Sequence, residues 1–303
     1  MERPIDFSRD RSMHCAGCGA EFVVDLDWID RWERKGEACP RCKANCDEVL
    51  GPKVTVCPSD PALNTERIAR FFWYHTSTYA DWPSNDFCPV KAQRGLALHV
   101  GTYEAAVHNM LRTLARPSDS DRQFYLYRVR LRPDVVVRED WLIDPSDAYG
   151  DVVLTDVCPP GVDVARYLNY HEDPGGISLV FGRDAIASVQ QVTLPLSSTG
   201  WDEWMRHAVD ALENASDDPV PVMDVLGRLR QGSSQRMSKG DDLAADLAGR
   251  LPINLREEFE RAITFTGEMG HQEWVSRAVG LINVIENPQH VLSALDSAEV
   301  SLR

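Results

Sequence analysis

Two C-x2-C pairs lie near the start of the chain, Cys15-Ala-Gly-Cys18 and Cys39-Pro-Arg-Cys42, separated by twenty residues. Each pair makes a tight turn that presents two thiolates to one ion, and Gly17, Gly19 and Pro40 supply the turn chemistry such knuckles need. The segment that holds them has to bring four sulfurs to one point, which constrains it more tightly than any hydrophobic pattern in the sequence. Four protein thiolates close the coordination shell of a zinc ion, so residues 1–60 are expected to form a zinc ribbon with a structural metal on Cys15, Cys18, Cys39 and Cys42. Cys46 in place of Cys42, or His14 as a competitor, gives a less symmetric set. A redox role fits poorly, because two pairs occur and no thioredoxin-like unit surrounds either. The intervening AEFVVDLDWIDRWERKGEA is expected to form strands and a short turn that fold the second knuckle onto the first.

Eight cysteines point to metal rather than disulfides in a reducing compartment, and the opening MERPIDFSRDRS has no apolar stretch of the secretory kind. A cytoplasmic protein is the expectation, with no apolar run long enough to span a membrane. The formal net charge is −15. It is spread as −3 over residues 1–60, −4 over 61–199 and −8 over 200–303. No segment carries the basic excess of a generic nucleic-acid binder, whose affinity comes mostly from neutralised phosphates.

Three regions follow from the patterning: the ribbon at 1–60, a strand-rich region at 61–199 and a helical region at 200–303. In the middle region FFWYHTSTY, LALHVGT, QFYLYRVRL, VVLTDV, ISLVFG and SVQQVTLP read as strands. Arg128 and Arg130 share one face of QFYLYRVRL, either solvated or available to a pyrophosphate. One helix interrupts the strands at TYEAAVHNMLRTLA, with Thr102 as N-cap and an apolar face through Ala106, Met110 and Leu114. This makes an α+β domain rather than a doubly wound one. In the last region WDEWMRHAVDALENA places Trp204, Ala208 and Leu212 on one helical stripe. Further helices are expected at DVLGRLRQ, DDLAADLAGRL, LREEFERAIT and QEWVSRAVGLINVIE, and the polar QGSSQRMSKGDD reads as a linker or mobile loop.

Two segments of the middle region carry a family resemblance. Phe71-Phe-Trp-Tyr-His-Thr-Ser77 ends an aromatic strand on a polar step. Gly95-Leu-Ala-Leu-His-Val-Gly-Thr-Tyr-Glu-Ala-Ala-Val-His108 is a strand, a Gly turn and a helix that begins with small residues. Together they resemble the first two motifs of the ADP-ribosyltransferase fold, in the branch of diphtheria toxin and the poly(ADP-ribose) polymerases. The resemblance covers roughly residues 65–195 and implies a split β-sheet and NAD as substrate. It implies that His75 contacts a ribose hydroxyl, with Thr76 and Ser77 beside the nicotinamide amide. The family's stacking tyrosine falls on His108, a departure from the pattern, with Tyr103 the alternative aromatic. The third motif falls in Tyr167–Phe181, where Glu172 is the carboxylate nearest the strand ISLVF, although the family's glutamate sits closer to its strand. In that scheme Glu172 holds the ribose and stabilises the oxocarbenium-like charge that develops as the nicotinamide bond breaks. Bland roles stand beside these: His75 and His99 as structural histidines, His108 on a helix surface, Glu172 as a turn carboxylate.

The function expected is ADP-ribose transfer from NAD to a protein or nucleic-acid target that the ribbon recognises. The alternative is an adaptor that keeps the fold with a decayed site. Phosphate transfer from RNA to NAD fits less well, because the chain lacks the Arg/Lys richness of an RNA binder.

Overall fold

The computed structural model describes residues 1–83, 95–116, 118–119, 122–146, 150–196, 200–223 and 229–302. Around the cysteines the chain forms β1 (Arg11–Cys15), β2 (Ala20–Val24), α1 (Leu26–Glu33) and β3 (Pro52–Thr55). Helix α1 corrects the expectation of strands and a turn alone. Asp25 caps it by accepting the Trp28 N–H at 2.9 Å, and Leu26 and Ile29 turn inward one helical turn apart.

The strand-rich part contains β4 (Trp73–Ser77), β5 (Leu98–Val100), α2 (Tyr103–Leu114), β6 (Phe124–Leu131) and β7 (Val137–Ile143). It continues with α3 (Leu154–Val157), β8 (Val164–Leu168), β9 (Ile177–Phe181) and β10 (Ile186–Leu194). Then come α4 (Asp202–Asn214), β11 (Pro219–Met223), β12 (Leu229–Ser234), α5 (Gln235–Ala248), α6 (Ile253–Ala262), α7 (His271–Glu286), α8 (Pro288–Ser297) and β13 (Ser301–Leu302). The whole is a mixed α+β fold with several small sheets, the four-cysteine cluster towards the N-terminus and a largely helical C-terminal region.

The ribbon sheet runs β2-β1-β3, with both pairings antiparallel. Two four-stranded sheets follow, β5-β9-β8-β7 and β13-β10-β6-β4. The pair β7–β8 is parallel, whereas β4–β6, β5–β9, β8–β9 and β10–β13 are antiparallel. A bridge joins the two sheets, in which Tyr74 and Gly101 exchange backbone hydrogen bonds of 2.9 Å each. A side chain at Gly101 would meet the Ala105 Cβ of α2 at 2.8 Å and Ser178 Oγ of β9 at 3.0 Å, so the close approach of those two elements needs glycine there. Thr102 accepts the Ala105 N–H at 2.9 Å, which is the N-cap its position implied.

The chain divides into two compact units, one of residues 1–110, 123–193 and 292–303, the other of 111–122 and 194–291. Residues 1–60 thus share a unit with the central strands. Met13, Ile29 and Val54 from the ribbon join Trp73, Val129, Leu168, Ile177 and Phe181 in one apolar core. A segment so small buries little of its own surface and gains most by covering another sheet. In the second unit Trp201 donates to Asn283 Oδ1 at 3.1 Å and Trp274 donates to the Ile263 carbonyl at 2.7 Å.

Three local expectations are overturned. Leu154–Val157, within VVLTDV, is a short helix, and only Val153 makes a bridge, to Leu96. The stretch QGSSQRMSKGDD is no loop: it completes β12 and starts α5, where Ser234 accepts the Met237 N–H at 3.2 Å. Of the helix expected at DVLGRLRQ, residues 224–228 lie outside the described residues and the rest belongs to strand β12. Among the described residues no helix is long and apolar enough to cross a membrane.

Candidate functional site

Cys15 ends β1, and the turn that follows reverses through Gly19 at φ +68°, with the Gly19 N–H on the Cys15 carbonyl at 2.8 Å. The second knuckle closes the same way, the Lys43 N–H on the Cys39 carbonyl at 3.0 Å. The four sulfurs of Cys15, Cys18, Cys39 and Cys42 all lie within 4.8 Å of one another. Cys15 and Cys42 are 3.6 Å apart and Cys18 and Cys39 3.7 Å. A tetrahedral zinc with Zn–S bonds of about 2.3 Å spaces its sulfurs by about 3.8 Å, so the residues fit that ion. The Cys42 N–H, against the opposing effect of burial and with help from the Arg41 N–H, draws the Cys39 thiol down to about 6. Burial pushes the Cys15 thiol up. Because the metal binds thiolates, Cys39 is the ligand readiest to receive it at neutral pH. Cys46 stands apart, its thiol on the Trp32 carbonyl at 3.5 Å, and His14 is not in the cluster.

The three segments of the family resemblance meet around α2. On β4, His75 is half-buried and stacks on Trp82 with ring centres 4.4 Å apart, and Trp82 in turn packs on Tyr127. Thr76, the next residue, is buried and donates to the Ala106 carbonyl at 2.8 Å, tying β4 to α2. Ser77 Oγ accepts the Tyr79 N–H at 3.1 Å. From the far side of α2, His108 Nδ1 meets the Glu172 carbonyl at 2.8 Å. A carbonyl only accepts, so Nδ1 carries the proton. Tyr103 is 2% exposed and lies edge-on to Phe7 and Tyr74, with no ring face at the surface. His99 contacts the Tyr167 hydroxyl at 3.4 Å.

Glu172 sits half-buried in a turn built around Asn169. The Asn169 side chain accepts the N–H groups of His171, Glu172 and Asp173 at 3.0, 2.9 and 3.1 Å, and its amide donates to Ser178 Oγ at 3.1 Å. Asp173, 1% exposed, accepts Thr102 Oγ1 at 2.8 Å. Two arginines from the start of the chain neutralise it: Arg9 pairs directly, and Arg11 lies 3.5 Å away. Burial alone would raise the Asp173 carboxyl, but Arg9, Arg11 and the hydrogen bonds together hold it below its usual value. Glu104, beside Arg9 at 3.6 Å and on the Asp6 N–H at 2.7 Å, is pushed up by burial and then by Asp173. No local motif marks Arg9 or Arg11. Only the basic-residue alternation ahead of Cys15 hints at them.

Arg128, expected on a solvated face, is instead 4% exposed and fully engaged. It pairs with Glu2 at 3.0 Å and Asp296 at 2.6 Å and donates to Gln190 at 2.7 Å, whereas Arg130 is exposed. Two cavities lie elsewhere. One of about 980 Å³ in the second unit is lined by Trp201, Trp204, His207, Arg250 and Glu286 among others, and one of about 420 Å³ in the first by Leu142, Ile143, Asp151 and Val153 among others. Neither is lined by His75, His108 or Glu172. Set against known protein families, curated proteins and solved structures, the chain matches none of them significantly.

Proposed function

We propose that the protein is an NAD-dependent ADP-ribosyltransferase whose ribbon is a structural zinc module. The observation that carries this is convergence. Three segments far apart in sequence, at 75–77, 102–108 and 169–173, are joined by direct hydrogen bonds from Thr76 to Ala106, His108 to Glu172 and Thr102 to Asp173. The split-sheet architecture that the resemblance implies has a counterpart in the two four-stranded sheets meeting at Tyr74 and Gly101. In this scheme His75 positions the dinucleotide. Glu172 holds the ribose and stabilises the charge that develops on its anomeric carbon, and nicotinamide leaves. His108, fixed by the Glu172 carbonyl, keeps the carboxylate-bearing turn against α2. The acceptor is a macromolecule.

Labelled NAD, added with the purified protein to a cell lysate, is expected to yield free nicotinamide and macromolecular label. Glu172→Gln should still gain thermal stability from NAD while nicotinamide release falls by about a hundredfold or more, because the carboxylate acts on transition-state charge. His75→Ala should lose the NAD-dependent stabilisation itself. Nicotinamide release that Glu172→Gln leaves unchanged would remove Glu172 from the site.

A second reading is an adaptor with the same fold and a decayed site. It is favoured by the burial of Tyr103 and His108, which leaves neither ring a free face for stacking a ligand. That reading requires no thermal response to NAD and wild-type partner capture by both variants.

A further inference from the structure

We infer that the metal-loaded ribbon sets the position of the Glu172 turn through Arg9 and Arg11, so that occupancy of the four-cysteine site governs the candidate active site. Glu172 as the acting carboxylate rests on the transferase reading; the coupling itself rests on geometry alone. Arg11 is the first residue of β1, the strand that ends on the metal ligand Cys15. Its guanidinium and that of Arg9 neutralise Asp173, the residue next to Glu172. Asp173 is 1% exposed, so losing both arginines would leave a buried charge without a counter-ion, one of the costliest states a fold can adopt.

The backbone reinforces the link. The turn passes the ribbon strand β3 at Gly175, where an added Cβ would lie 3.2 Å from the Thr55 carbonyl, and the Tyr170 hydroxyl reaches the Val54 carbonyl at 3.5 Å. Gly176 lies against both Asp173 and Arg9. The turn that carries Glu172 is therefore held on one side by α2, through His108 and Thr102, and on the other by the ribbon. The metal closes the ribbon's two knuckles, while Met13 and Val54 tie its strands to the central core. When the metal leaves, β1 loses the anchor at its Cys15 end, Arg11 loosens first because Arg9 is also held by Glu104 on α2, and the turn loses part of its support. Arg9 and Arg11 are positioning residues here. They act on Glu172 through Asp173.

The test is hydrogen exchange on the full-length protein, zinc-loaded and after chelation, together with nicotinamide release. Chelation is expected to speed exchange at least tenfold both in β1–β3 and across residues 169–176, with β6 slower to respond. Arg11→Met at full zinc occupancy should loosen 169–176 alone and lower kcat by about tenfold with KM for NAD little changed. Arg11→Lys should restore most of both, since it returns the charge. Should Arg11→Met fold poorly, Asp173→Asn, which removes the carboxylate and keeps its shape, must loosen the same turn. Chelation that opens β1–β3 while 169–176 keeps its protection would overturn the coupling. So would an Arg11→Met protein with wild-type exchange and turnover. Coupled exchange in a wild-type protein that releases no nicotinamide supports the coupling and fails the transferase reading, so the two are separable.

Discussion

Gly175 shows how much one backbone position decides. Its φ is +86°, in the region that costs a residue with a Cβ about 1–2 kcal/mol, and its missing side chain faces the Thr55 carbonyl. Gly175→Ala is expected to destabilise the protein by about 2 kcal/mol in urea unfolding, and an unchanged midpoint would mean that the turn relaxes freely. Cys39 carries a pH dependence. Its thiol sits at about 6 in the folded, metal-free site, below the ordinary cysteine value near 8.5. A folded-state pKa that is depressed contributes stability that is complete above the unfolded value and lost as pH falls through the folded one. The metal-free protein should therefore melt at progressively higher temperature as pH rises from about 6 to about 8.5. A flat profile would show that Cys39 is not ionised early. Cys39→Ser should abolish the one zinc per chain that metal analysis of the wild type is expected to find.

At the scale of elements, α5 combines two opposing effects at Gly240. Alanine in a helix interior is favoured over glycine by about 1 kcal/mol. Here its Cβ would lie 2.5 Å from the Phe265 Cβ, an atom bound to backbone that cannot swing aside, and overpacking of that kind costs about 1–3 kcal/mol. Gly240→Ala should thus destabilise by up to about 2 kcal/mol, whereas propensity alone gives the opposite sign. The same glycine explains why the sequence misled there. Gly240 and its serine and lysine neighbours have linker composition, but the glycine serves close packing and Ser234 serves as a helix cap. Helix α4 was legible because its buried positions, Ala208 and Leu212, follow a helical period, and β9 because it is a short unbroken apolar run buried throughout. Helix α1 was not, because its eight residues span barely two turns, too short a stretch to establish a period. The metal ligands were legible because their spacing is local. The ion pairs of Asp173 were not, because nothing in one sequence joins Arg9 to a carboxylate on a distant turn.

For the whole molecule, the shared core turns the metal into more than a local staple. Met13, Ile29 and Val54 pack with Trp73 and Ile177, so chelation should lower the melting of the first unit as one cooperative step. Near-ultraviolet circular dichroism and exchange at β1–β3 and β9 should then report the same midpoint after chelation. An early ribbon transition that leaves β9 intact would instead make the ribbon an independent module.

The pairing of β13 with β10 bears on the order in which the protein is made. The metal ligands leave the ribosome well before residues 292–302. Yet the sheet β13-β10-β6-β4 lacks its edge, Arg128 lacks Asp296 and Gln190 lacks the Leu295 carbonyl until residues 292–302 have emerged. The ribbon therefore emerges beside a half-finished partner, and the first unit cannot close until residues 292–302 have followed it.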